Sequence, residues 1–145
     1  MVRTWRAAML AALLAGCATR PPHVPFGALT DGVDAFVAAH PLAAEQAIRA
    51  DEVGRTASAS YHVVQVRGSE SPHRHVAHDL TVFVLRGQGM LTLEETRQAL
   101  AAGDAAVIPR GAVHWFANGG REPALALVVF APPLDAPDTV PAGPR

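Results

Sequence analysis

The sequence predicts an all-β domain, a sandwich or barrel, preceded by one short helix. Two observations carry that reading. From about residue 55 onward the apolar positions recur with period two, in short runs rich in Val, Leu, Ile and Phe. Gly, Asn, Pro and Asp interrupt those runs at roughly ten-residue spacing, the rhythm of short strands joined by tight turns.

Each element follows in order. Thr30 or Asp31 can cap a short helix whose one face carries Leu29, Val33, Phe36 and Val37. His40-Pro41 ends it, because the residue before a proline is pushed out of the helical region. His40 is therefore read as a helix-end residue and not as a ligand. The stretch AAEQAIRADE (43–52) fits either a further helical turn or an early strand. YHVVQVRG (61–68), LTVFVLRGQG (80–89), GMLTLEETRQALAAGD (89–104), AAVIPRG (105–111), VHWFANGG (113–120) and ALALVVFAPP (124–133) then supply the strands. Gly87 and Gly89 mark a turn or a close backbone approach. No helical pattern follows them, so a phosphate loop is a poor reading.

Composition narrows the function classes. A chain of 145 residues is long enough for one domain with a substantial core. Its 12 basic residues are all arginine, against 13 acidic ones. With no lysine, Schiff-base and lysine general-base chemistry are excluded. The absence of a basic patch and the few aromatics (five Phe, two Trp, one Tyr) argue against a nucleic-acid partner.

The two ends read differently from the middle. Arg3 and Arg6 precede an apolar run from Ala7 to Ala15, the shape of a secretory signal and too short to span a membrane. Leu14-Ala15-Gly16-Cys17 resembles the lipobox of bacterial lipoproteins, which implies a signal over 1–16 and lipidation of Cys17, the only cysteine. Ala18 in place of an aspartate implies the outer membrane, facing the periplasm. Residues 17–29 then form a tether, 30–133 the domain with its helix, and 134–145 a Pro-rich tail.

The chemistry concentrates in HRHVAHD, residues 73–79. In a strand, His73 and His75 project to one face, a half-site for a divalent transition metal. A second segment, GDAAVIPRGAVHWFAN, runs Gly103, Pro109, Gly111, His114, Asn118 at intervals of five, one, two and three residues. That spacing matches G(X)5PXG(X)2H(X)3N, the second signature motif of the cupin superfamily. The first segment, Gly68-SESP-His73-R-His75 through Gly87, is similar to the first cupin motif, and the resemblance covers roughly residues 46–133 with the motif core at 60–130.

The resemblance implies a single cupin (double-stranded β-helix, jelly-roll) barrel and one divalent transition metal, Fe, Mn, Ni or Zn. Its ligands would be His73, His75, His114 and an acid from the first motif. The motif's usual glutamate position falls on Leu80, so the expected acid is Asp79, one residue out of register. His78 is an alternative, as a ligand or behind one, and a water is a third. Gln65, Tyr61 and His62, on the strand before the first motif, are candidates to line the pocket, their parity deciding which point inward; Phe116 should point inward beside His114. Asn118 is expected to satisfy backbone groups at a turn, and Trp115 to face outward. Small-molecule binding follows, with metal-dependent oxygenase or isomerase chemistry on one reading and a non-catalytic binding module or dimerisation scaffold on others. Apolar strand faces such as ALALVVF suggest a homodimer.

Overall fold

The computed structural model describes residues 27–143; the signal segment, Cys17 and most of the tether lie outside the described residues. A short 3-10 turn (Gly27–Leu29) leads into α1 (Val33–Ala39). Ten strands follow: β1 (Ile48–Arg55), β2 (Ser60–Val66), β3 (His73–His75), β4 (Asp79–Arg86), β5 (Gln88–Leu93), β6 (Thr96–Ala101), β7 (Ala105–Ile108), β8 (His114–Asn118), β9 (Ala124–Ala131) and β10 (Thr139–Pro141). They form two five-stranded antiparallel sheets, in the orders β1-β2-β9-β4-β7 and β10-β3-β8-β5-β6. No helix of the described residues is long and apolar enough to cross a membrane.

Strand alternation divides the apolar residues between two cores. Between the sheets lie Val64, Val66, Leu80, Val84, Leu91 and Leu100, with Phe130 and others. On the outer face of the first sheet, Val63 and Leu125 pack under Leu29, Val33 and Phe36 of the N-terminal segment. Each such side chain, once buried, contributes about 1.5–3 kcal/mol. Strand β2 is buried on both faces, so its sequence has no polar side to betray the parity.

The helix carries the expected face, but its entry differs. The capping position is Gly32, with no side-chain cap, so neither Thr30 nor Asp31 plays that part. Gly32 has φ +89°, a conformation that disfavours a side chain. His40 stands at the other end, its backbone N–H donating to Phe36 and Val37 carbonyls. The ambiguous stretch 43–52 resolves into a turn and the start of β1, paired with β2.

Two segments depart more from a plain reading. GMLTLEETRQALAAGD is a hairpin of β5 and β6, with Glu94 at φ +51° at its tip. The Pro-rich stretch assigned to a tail carries β10, whose Thr139, Val140 and Pro141 pair with His75, Arg74 and His73. Pro141 can sit there because β10 is an edge strand.

Candidate metal centre

Strand β3 is three residues long, and its alternation puts His73 and His75 on one face with Arg74 opposite. His73 is the Cα partner of His114, the first residue of β8, so the two rings meet across the ladder with centroids 4.4 Å apart. The His75 ring lies 5.4 Å from that of His114 and 5.2 Å from that of His73. Gly111, at φ +81°, turns the chain ahead of β8, and its N–H donates to the His75 carbonyl at 2.7 Å. The Pro109-Arg110-Gly111 corner is thereby tied to the strand that carries the other two histidines. One ring nitrogen from each of His73, His75 and His114 lies within 4.8 Å of the others.

The hydrogen bonds choose which nitrogen faces the cluster. His73 Nδ1 lies 2.8 Å from the Ser71 carbonyl and His114 Nδ1 3.0 Å from the Ala112 carbonyl. His75 Nδ1 lies 2.8 Å from Asp138 Oδ1. Carbonyl and carboxylate oxygens only accept, so each Nδ1 carries a proton, and the lone pair of the neutral ring falls to Nε2. Burial pushes His75 below the usual histidine range, against the pull of Asp138, and takes His114 down to about 4. Neutral imidazoles with a fixed tautomer are the form in which histidine binds metal. The donor set therefore fits a divalent transition ion, with three protein ligands and positions to spare.

Two carboxylates stand by the cluster that the sequence did not single out. Asp138, just before β10, accepts from His75 Nδ1, from His78 Nδ1 at 2.6 Å and from the Ala77 N–H at 3.1 Å. Burial works to raise its pKa, but these three donors outweigh burial and hold it at about 2. Glu70 exchanges hydrogen bonds with Phe116: its N–H donates to the Phe116 carbonyl, and its Oε2 accepts the Phe116 N–H at 2.8 Å. Burial raises the Glu70 pKa, against the effects of that N–H and of His73. Neither residue carries a spacing signal. Asp138 is brought in by a strand whose composition reads as linker.

The expected fourth ligand is elsewhere. Asp79 turns its carboxylate onto Arg110, accepting from the backbone N–H at 2.9 Å and from the guanidinium at 3.0 Å, on an exposed corner. It stands outside the three-histidine group. The physical reason is parity and neighbourhood: Arg110 lies directly across the corner and takes the charge. His78 is buried but also outside the group, its Nδ1 on Asp138 and its Nε2 3.3 Å from the Pro133 carbonyl. It stands behind His75, linked to it through one carboxylate.

A cavity of about 570 Å³ opens from the histidines into the space between the sheets. Phe116 lines it as expected, and its ring lies where a side chain on Gly89 would have to go, at 2.3 Å from a Cβ there. That is the close approach for which Gly89 is needed. Tyr61, Gln65 and His62 do not line it. Tyr61 and Gln65 share the outward face of β2 with Val63; Tyr61 packs beneath the N-terminal helix and Gln65 donates to the His40 carbonyl at 2.8 Å. His62 faces inward but sits against Phe130 and the Ser60 hydroxyl, which keep it out of the lining. Asn118 satisfies backbone groups, donating to the Arg67 and Glu122 carbonyls and accepting from Gly120.

Two facing sheets with a histidine trio at one end define a cupin barrel with a candidate metal centre. The cupin domain model matches residues 60–130, and the chain belongs to the cupin superfamily. It is 42% identical over 89 residues to an uncharacterized protein of Aquifex aeolicus, spanning 61% of this chain and 73% of that one. Among solved structures it is similar to KdgF from Halomonas sp., with 28% identity, a TM-score of 0.56, and coverage of 62% of this chain and 84% of that one. It is also similar to TT1209 from Thermus thermophilus, with 29% identity, a TM-score of 0.55, and coverage of 66% and 94%.

Proposed function

We propose that this domain is a metal-dependent cupin in which His73, His75 and His114 hold one divalent transition ion (iron, manganese, nickel or zinc). Its open coordination positions take a small oxygen-bearing ligand from the cavity. The observation that carries the reading is that all three Nδ1 atoms are committed to oxygen acceptors, which leaves Nε2 as the ring nitrogen each histidine can offer to a shared ion. A bound ion would supply Lewis-acid polarisation, an acidified water or, if iron, dioxygen activation. Three protein ligands with open positions are the pattern of catalytic sites more than of closed structural ones. This favours an enzyme of oxygenase or isomerase type over a binding module or a scaffold. Glu70 lines the same cavity and is positioned to exchange a proton with a bound ligand. Elemental analysis of the purified chain should find about one equivalent of metal, lost in His75→Ala/His114→Ala. No metal after reconstitution would remove the reading.

We further propose, from the sequence, that Cys17 is lipidated and tethers the domain in the cell envelope, at the periplasmic face of the outer membrane. The apolar run Ala7–Ala15 and the Leu-Ala-Gly-Cys sequence support this. Labelled palmitate should enter the wild-type chain and not Cys17→Ser; an unlabelled wild type would rule it out. A homodimer is proposed through the outer face of the first sheet, where Phe83 is 42% and Val107 64% exposed. A monomeric mass in solution would exclude it.

A further inference from the structure

We infer that the ligand of this centre is an amphiphile, a single metal-binding oxygen head on a mainly apolar body, and not a sugar, a polyol or a small diacid. This rests on the metal reading above and goes on to name the substrate class.

The lining decides it. Beyond the three histidines, the polar residues of the cavity are Glu70, Ser71, Asp138 and Thr139. All belong to the two segments that frame the histidines, 70–75 and 138–139, so polarity is confined to one end. Much of it is already engaged. Glu70 Oε2 holds the Phe116 N–H, the Ser71 carbonyl holds His73, and Asp138 holds His75, His78 and Ala77. From there the walls are apolar: Val64, Val84 and Val128 on one sheet, Leu91, Leu100 and Phe116 on the other. A polyol body placed among them would leave hydroxyls without partners, which is unfavourable group by group.

Charge gives a second, independent constraint. No arginine lines the cavity among the described residues, and the chain has no lysine. A ligand with one anionic head can meet a bound ion. The second carboxylate of a diacid would find no cation there, only apolar walls, the Ser71 and Thr139 hydroxyls or the acidic Glu70 and Asp138.

The cavity also has room and an exit for an apolar body. Its volume of about 570 Å³ is within the range of small-molecule sites. Its lining includes Ile48 and Ala50 on β1 and Thr139 and Pro141 on β10. Each is an edge strand, one from either sheet, so the cavity runs to the slot between them. Ile48, 42% exposed, stands at that slot as an apolar lip.

The test is a series of hydroxamates with one head and different bodies, titrated calorimetrically into the full chain after zinc loading. Zinc uptake is measured first by elemental analysis. Each buried methylene is worth about fourfold in affinity. Octanohydroxamate should therefore bind at least ~50-fold more tightly than acetohydroxamate after the cost of ordering its chain. Gluconohydroxamate, two carbons shorter than the octyl probe and hydroxylated along its chain, should bind no more tightly than acetohydroxamate. Zinc uptake with no gain from the octyl chain, with preference for the gluconyl body, or with no hydroxamate bound would overturn this inference and leave the metal reading standing. Failure to take up zinc or any other divalent transition ion would overturn both.

Discussion

At the histidine end of the cavity each ring is held by a specific acceptor, on Ser71, Ala112 or Asp138. At the other end Val64, Val84, Leu91 and Leu100 are held only by packing. The first arrangement fixes direction, since a hydrogen bond fails within a few tenths of an ångström or a few tens of degrees. The second fixes shape and volume but tolerates exchange of one apolar residue for another. A polar end that orients and an apolar end that accommodates are what a site needs to hold one head group and admit a body of some latitude.

Acid should break the polar end first. His114 is neutral and buried, with a pKa of about 4 against 6.5 for an exposed histidine. Above pH 6.5 neither state takes the proton; below it the unfolded chain does and the folded one does not. The stability of the metal-free domain should therefore fall between pH 6.5 and 4, by about 3 kcal/mol for this group alone. His75 and His62 are shifted the same way by burial and add to the fall, while the raised Glu70 opposes part of it. Urea melts at half-unit pH steps measure this, and a flat profile over that window would contradict a buried neutral cluster.

A smaller effect separates orientation from ligation. Asp138→Asn keeps the size of the side chain but removes the charge that fixes His75, so metal affinity should weaken about 10- to 100-fold with the fold intact. Competition against a chelator of known affinity gives the ratio. An unchanged affinity would mean that His75 needs no help from the C-terminal strand. The smallest effect is expected at Asp79→Ala. With its carboxylate on Arg110 at an exposed corner, metal affinity should stay within about twofold of wild type in the same assay. A large loss would restore Asp79 as a ligand.

These last two residues also show what a sequence reveals of a site and what it hides. Most strands were legible because alternation and turn residues act locally; strand parity put His73 and His75 on one face, and His114 joined them through the resemblance of Gly103, Pro109, Gly111 and His114 to the second cupin motif. Asp79 was the natural acid by proximity, yet proximity along the chain does not show which charge lies across the corner; that is Arg110. Asp138 lies more than sixty residues from the histidine it orients, and the strand that follows it is three residues long in a Pro-rich stretch. No periodicity can register in so short an element. Tyr61, His62 and Gln65 stayed undecided because β2 is buried on both faces, so hydropathy could not assign its sides.

The anchoring of the three rings bears on how the centre tolerates change. His73 and His114 each donate to the carbonyl two residues earlier, on Ser71 and Ala112. A carbonyl is present whatever side chain the residue bears, so substitutions at 71 and 112 that keep the backbone path keep those two rings aimed. His75 has no such insurance, because its acceptor is the Asp138 side chain and a single codon change removes it. A lineage drifting away from metal use would pass most easily through position 138, loosening the candidate site while the barrel continued to fold.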